Sequence, residues 1–308
     1  MRILFWGTPE FALPALRALS DEGHEVVAVV TQPDRPAGRG RVLTPSPVKR
    51  EAMEEGIPVL QPERARGEEL LATIRELEPD LSVVVAYGQI LPREILDAPP
   101  LGSLNIHASL LPELRGAAPV QWAIIRGLET TGVTIMKMDE GLDSGPIVHA
   151  VQEPIRPDES ASELAMRLSE IGAEALVEAL AMIDAGSAEM RPQEDERATY
   201  APKIERETAR LDWSLPAVEL ARWIRGLDSV PGAWSELNGT TVKLFSPRVE
   251  VHQGEPGLVL EADPEVGILV AAGEDAVRIR EVQPAGKRRM SAGEWVIGRG
   301  IRAGDRLR

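Results

Sequence analysis

The run LSVVVAYG, residues 81–88, constrains the fold more than any other stretch. It is nearly continuous in apolar side chains and rich in valine, which suits a strand covered on both faces, as in a parallel sheet flanked by helices. RILFWG (2–7) and EVVAVVTQ (25–32) share that texture. Between them Thr8 is placed to cap, and Pro9 to open, a helix that ends at Gly23. A helix near 48–56, a strand at 58–62 and a helix at 67–78 continue the alternation. Strands that alternate with helices predict an α/β domain with a doubly wound, mostly parallel sheet and right-handed crossovers.

The pattern runs on through a helix at about 118–127, strands at GVTIMKM (132–138) and PIVHAVQEPI (146–155), and a long amphipathic helix at 160–186. Residues 187–208 are polar and broken by prolines. Beyond them come short strand-like segments, among them GAWSEL, TVKLFSP, GLVLEA, GILVAA and AVRIREV, separated by Gly, Pro, Asn and Asp. Such spacing predicts a small antiparallel barrel of the OB type. The expected organisation is a first domain at 1–188, a linker at 189–208 and a C-terminal β-barrel at 209–308. No apolar run approaches the ~20 residues needed to span a bilayer, and the first residues enter a strand with no signal-peptide layout. A cytoplasmic protein, monomeric and without membrane contact, is the expectation.

Charge is unevenly distributed. The net charge is −15, yet residues 209–308 hold 14 Lys/Arg against 14 Asp/Glu, so the excess acid lies in the first 208 residues. Within that acidic part, residues 31–50 set Arg35, Arg39, Arg41, Lys49 and Arg50 against Asp34 alone. Residues 287–308 carry seven cations, Lys287, Arg288 and Arg289 among them, and two acids. Two basic patches on an acidic body can guide a polyanion to one place and repel it elsewhere.

Several sites are excluded. With no cysteine there is no disulfide, thiolate nucleophile or cysteine–metal site. FWGTPEF has a single glycine and lacks the spaced glycines of a dinucleotide fold. There is no GxxxxGK[ST], HExxH or GxSxG, and the four histidines lie far apart, so no metal is expected. What remains is SLNIHASLLP (103–112), where Asn105 and His107 share one face of a strand that Pro112 ends. The glycine-bracketed loop MDEGLDSGP (138–146) follows another apolar strand, and its Asp143 can reach back to the imidazole. An amide donor, a histidine and a carboxylate suit direct acyl transfer to an amine: Asn105 would meet the oxyanion, His107 the proton, and Asp143 would orient the ring. A core histidine bonded to a carbonyl, beside a turn-forming aspartate, accounts for the same residues.

The segments SLNIHASLLPELRGAAPVQWAIIRG, GVTIMKMDEGLDSGPI and VVVAYGQILP resemble the folate-dependent formyltransferases, with TQPDRPAGRGRVLTPSPVK and RATYAPKIERETARLDW narrowing the likeness to members that act on a tRNA. The resemblance implies a Rossmann-like domain in which Asn105, His107 and Asp143 are catalytic. It places the folate carrier against Ser109, Leu110, Leu111 and Pro112 and along the turn Ala86, Tyr87, Gly88, Gln89, Ile90 and Leu91. The implied donor is 10-formyltetrahydrofolate, with no metal and no covalent intermediate, and the implied acceptor is the α-amino group of initiator methionyl-tRNA. Arg35, Arg39, Arg41, Lys49, Lys287, Arg288 and Arg289 would bind the tRNA. Transfer to a small amine, such as glycinamide ribonucleotide or an amino sugar nucleotide, is the alternative, and it leaves the basic loop at 33–47 and the barrel without a task. A non-catalytic RNA-binding protein would leave the trio without one.

Overall fold

A computed structural model describes residues 1–37 and 42–308. Contacts divide the chain into two compact units: residues 1–119, 130–154 and 165–201 form the first, and 120–129, 155–164 and 202–308 the second. Residues 189–201, expected as linker, belong to the first unit. Among the described residues no helix is long and apolar enough to cross a membrane.

In chain order the first unit contains β1 (Arg2–Gly7), α1 (Leu13–Asp21), β2 (Glu25–Val30), the two-stranded β3 (Arg35–Ala37) and β4 (Val42–Thr44), α2 (Pro47–Glu54), β5 (Val59–Leu60), α3 (Glu68–Leu77), β6 (Leu81–Val85), α4 (Arg93–Leu96) and β7 (Ser103–His107). The chain continues through α5 (Pro119–Ile125), β8 (Thr130–Lys137), β9 (Ile147–Pro154) and α6 (Ala161–Asp184). Seven strands form one sheet in the order β5-β2-β1-β6-β7-β8-β9. The strands from β5 to β7 are parallel, and β8 and β9 join antiparallel. Every residue of β6 is buried, as its composition requires.

The strand order reverses between β1 and β6, where an open α/β sheet leaves a crevice beyond its carboxyl ends. Thr8 was expected to cap a helix. Instead its hydroxyl donates to the Tyr87 carbonyl at 2.9 Å and accepts from the Gln32 amide at 3.5 Å, tying together the ends of three strands. The buried Trp6 donates to Ser82 Oγ at 3.2 Å and meets Tyr87 edge to face at 5.2 Å, so this rim of the sheet is rigid. The expected basic loop is partly a hairpin: Arg35 pairs with Thr44 and Pro36 with Leu43. Arg39 and Arg41 lie outside the described residues.

The second unit holds α7 (Ala217–Gly226), β10 (Trp234–Leu237), β11 (Thr240–Glu250), β12 (Val259–Asp263), β13 (Gly267–Ala271), β14 (Ala276–Pro284), β15 (Met290–Ser291) and α8 (Ala292–Ile297). The sheet is antiparallel in the order β10-β11-β14-β13-β12, with β15 against β14. Asn238 (φ 50°) and Gly239 (φ 77°) make the two-residue turn that joins β10 to β11 with the twist a hairpin needs. The last residues close the sheet on itself, Leu307 bridging to Leu237 of β10 and Arg306 to Leu258 beside β12. Closure removes both free edges. Ile224, Leu244, Val270 and Ile279 lie in the core.

Candidate active site

At the carboxyl end of β7, Asn105 lies between Val84 of β6 and Met136 of β8, and His107 is opposite Thr134. Alternation along the strand puts both side chains on one face. They are nearly buried, with 9% and 5% exposure. The Asn105 amide has no hydrogen-bond partner among the described residues. The amide is not among the sealed, unsatisfied groups of the core, so its polar atoms keep the solvent access that a ligand would use.

The turn after β7 is tightly bound. Ser109 Oγ donates to the Glu113 carbonyl at 2.6 Å, and Thr134 Oγ1 donates to the Ser109 carbonyl at 2.7 Å while accepting from the Leu111 amide. The chain is thereby folded back until the Leu114 carbonyl stands 3.0 Å from His107 Nε2. A carbonyl can only accept, so Nε2 carries a hydrogen, and the open lone pair of a neutral ring is on Nδ1. That nitrogen faces Asp143 Oδ2 at 3.7 Å. One ring thus makes both contacts: a backbone carbonyl accepts from one nitrogen, and a carboxylate faces the other.

Asp143 projects from the loop between β8 and β9 with its backbone left-handed at φ 51°. The Asp139 carboxylate shapes the loop by accepting from Gly141 N and Ser144 Oγ, both at 2.9 Å. A Cβ at Gly145 would lie 1.8 Å from the Lys137 carbonyl, so only glycine fits there. Asp143 Oδ2 also accepts from the Gly116 amide at 2.8 Å. Segments from β7, from the turn after it and from the β8–β9 loop thus converge. Residues 193–201 complete the site: Leu114 N donates to Thr199 Oγ1 at 2.9 Å, and Arg115 N to the Thr199 carbonyl. Nothing in the polar, proline-broken composition of that stretch marked it as part of the site.

The turn at 86–91 is two-sided. Tyr87 is buried, its hydroxyl has no partner among the described residues, and burial pushes its pKa up to about 12. Gln89 is tied inward, accepting from Ala65 N and donating to Gln32 Oε1 and the Glu63 carbonyl. Ala86, Gly88 and Ile90 face solvent, Ile90 at 88% exposure. The peptide groups of Gly88 and Ile90 have no partner among the described residues, which leaves donors and acceptors for the edge of a flat ligand. Leu91 is buried. Of 109–112, Ser109, Leu111 and Pro112 are buried and Leu110 is partly exposed.

The expected cations divide into two kinds. Arg35, Lys287 and Arg288 are exposed, the Arg35 side chain meeting Gln32 Oε1 at 3.4 Å and Arg288 lying 3.9 Å from Glu294. Lys49 donates to both oxygens of Asp34, at 2.8 and 3.0 Å, and with Gln61 this hydrogen bonding holds the Asp34 carboxyl below its usual range. Arg289 binds Asp228 and Glu281 and lies 4.0 Å over the Phe245 ring. It lines a cavity of about 650 Å³ in the second unit, where Arg225, Arg248 and Arg280 face Asp158, Glu163 and Asp228.

Residues 1–180 match the family described as formyl transferase, and residues 203–300 match the formyl transferase C-terminal domain. The chain belongs to the formyl transferase family. It is 49% identical over 309 aligned residues to the methionyl-tRNA formyltransferase of Bacillus licheniformis, covering 99% of this chain and 98% of that one. The enzyme of the same name from Geobacter sulfurreducens is 48% identical, with 100% and 96% covered. Among solved structures, HypX from Aquifex aeolicus in complex with tetrahydrofolic acid superposes with a TM-score of 0.69 at 23% identity, over 97% of this chain and 47% of HypX. This chain thus spans about half the length of HypX. WlaRD, a sugar 3N-formyl transferase, gives 0.65 at 17% identity, over 94% of this chain and 99% of that one. These two likenesses show the shared family fold.

Proposed function

We propose that this protein transfers the formyl group of 10-formyltetrahydrofolate to the α-amino group of methionyl-tRNA, with Asn105, His107 and Asp143 as the reacting trio. The observation that carries the chemistry is His107 Nδ1 facing Asp143 Oδ2 at 3.7 Å beside the unpartnered, nearly buried Asn105 amide. The acceptor is inferred from relatives that carry the activity in their names along their whole length.

The acceptor nitrogen attacks the formyl carbon and a C–N bond forms. Charge collects on the formyl oxygen, where the Asn105 amide N–H groups are free to donate. The proton released by the attacking nitrogen passes to His107 Nδ1, and the Asp143 carboxylate stabilises the imidazolium. Collapse of the tetrahedral intermediate breaks the bond between formyl carbon and folate nitrogen. The imidazolium returns its proton to that nitrogen, so the histidine ends as it began. The exposed peptides of Gly88 and Ile90 suit the pterin edge, and Leu110 offers apolar contact. Arg35, Lys287 and Arg288 are exposed cations that would meet tRNA phosphates, and Arg39 and Arg41 belong to the same proposal from sequence alone.

The test is direct. Purified protein given methionyl-tRNA and 10-formyltetrahydrofolate should release formylmethionine on deacylation of the tRNA. If glycinamide ribonucleotide or an amino sugar nucleotide is formylated and methionyl-tRNA is not, the acceptor is a small amine and the proposal fails.

A further inference from the structure

We propose that Gln193 is a positioning residue that holds Asp143 in its reactive conformation, which rests on reading Asp143 as the partner of His107 in formyl transfer. Gln193 lies fifty residues beyond Asp143, in the segment that composition marks as a linker. Its side chain nevertheless reaches into the β8–β9 loop. Nε2 donates to the Asp143 carbonyl at 2.8 Å and to the Gly145 carbonyl at 2.7 Å. Oε1 accepts from Arg115 Nε at 3.1 Å and from an Arg115 terminal nitrogen at 2.8 Å.

The orientation of this amide follows from its neighbours. A guanidinium can only donate and a carbonyl can only accept, so Oε1 must face Arg115 and both Nε2 hydrogens must face the loop. Arg115 is itself 5% exposed and is held by Asp195 at 2.7 Å, and its backbone exchanges hydrogen bonds with Thr199 and Ala201. The donor that fixes Gln193 is therefore rigid. The carbonyls it binds flank Ser144, the first of them on Asp143 itself, where a left-handed, non-glycine residue needs support from outside. Asp139 shapes the loop from within, but its contacts are with Gly141 and Ser144 and leave the Asp143 carbonyl to Gln193. Without the two Nε2 bonds Asp143 can turn, and its Oδ2 leaves both the Gly116 amide and the imidazole.

Gln193 acts through Asp143 and touches neither substrate, so its loss should lower kcat and spare KM. Gln193→Met removes every contact at nearly constant volume. Gln193→Glu keeps the acceptor for Arg115 and replaces the two donors by a carboxylate oxygen that the loop carbonyls repel, which preserves the strap if the methionine variant folds poorly. Each should lower kcat by about ten- to a hundredfold, the scale of a catalytic group displaced by an ångström. KM for methionyl-tRNA and for 10-formyltetrahydrofolate should change by less than about twofold. In Gln193→Glu, which keeps the Arg115 contacts, amide hydrogen exchange should quicken chiefly at 139–145. In an Asp143→Ala background Gln193→Met should change the residual rate by less than about twofold, because the residue it positions is gone. Unchanged kcat in Gln193→Glu, a rise in KM that accounts for the loss, or a full multiplicative loss in the Asp143→Ala background would overturn the proposal. If Asp143→Ala alone keeps the full rate, the catalytic reading fails and the positioning claim with it. If Asp143→Ala is crippled and the Gln193 variants are not, only the positioning claim fails.

Discussion

The end of β7 and the wall of the barrel both bury polar groups, but they treat them differently. In the barrel Arg278, 7% exposed, places Nε and one terminal nitrogen on Glu250 at 2.9 Å and reaches Glu261 at 2.7 Å. Ser246 and Arg289 similarly converge on Glu281. Those groups pair with one another within the fold, leaving only the second terminal nitrogen of Arg278 and Nε of Arg289 without a partner among the described residues. At the end of β7 the Asn105 amide has no partner among the described residues, His107 leaves Nδ1 at 3.7 Å from a carboxylate, and Asp143 sits in a left-handed backbone. Mutual satisfaction serves stability, whereas polar groups held in place and left open serve a ligand.

The contrast has measurable consequences. In stability the largest is expected at Arg278: Arg278→Ala removes the shared partner of Glu250 and Glu261, whose side chains keep 34% and 49% exposure, and should cost about 1–3 kcal/mol in urea unfolding. The formyl-transfer rate of the protein that remains folded at low temperature should not change. Next comes Asn105→Ala, which should lower kcat by about 10²–10³, the effect of losing one oxyanion donor, and leave the melting temperature within a few degrees. If Asn105→Ala destabilises while sparing the rate, the two regions do not differ as described.

Smaller effects sharpen the picture. Hydrogen bonding from Arg278 holds the Glu250 carboxyl below its usual range. A depressed carboxyl contributes stability above its unfolded pKa and loses it as pH falls through the folded value, so this contribution should fade below about pH 4.3. Comparing thermal unfolding of the parent with Glu250→Gln across that range should show the two converge in acid; curves that stay parallel would contradict the assignment. The smallest effect is expected at the exposed cations. Lys287→Ala and Arg288→Ala should each flatten the salt dependence of tRNA binding by about one in slope and leave unfolding unchanged, as measured by binding titrations over a salt series.

Local pattern carried much of this. Nearly unbroken apolar runs mark β1, β2 and β6, because a strand covered on both faces admits little else. Two-residue alternation put Asn105 and His107 on one face, and bracketing glycines marked the Asp143 loop. The cations show where such reading stops. Lys49 and Arg289 count as basic in a sum over the sequence, yet each meets carboxylates: Asp34 is fifteen residues from Lys49, and Asp228 sixty-one from Arg289. Charge content is local, but pairing is set by the tertiary fold. Gln193 and Thr199 were hidden for the same reason, since a polar segment that straps a site has the composition of a linker. The Ser109 hydroxyl donates to the Glu113 carbonyl and builds the turn that brings Leu114 to His107, a structural task that the sequence did not reveal.

The most direct test is the single-turnover rate of formyl transfer by His107→Asn at saturating methionyl-tRNA and 10-formyltetrahydrofolate, measured with its melting temperature. Loss of the proton acceptor should slow transfer by about 10²–10⁴ while the protein melts near the parent temperature. A variant that formylates at the parent rate would show that the imidazole between Leu114 and Asp143 is a core group, and that the chemistry happens elsewhere.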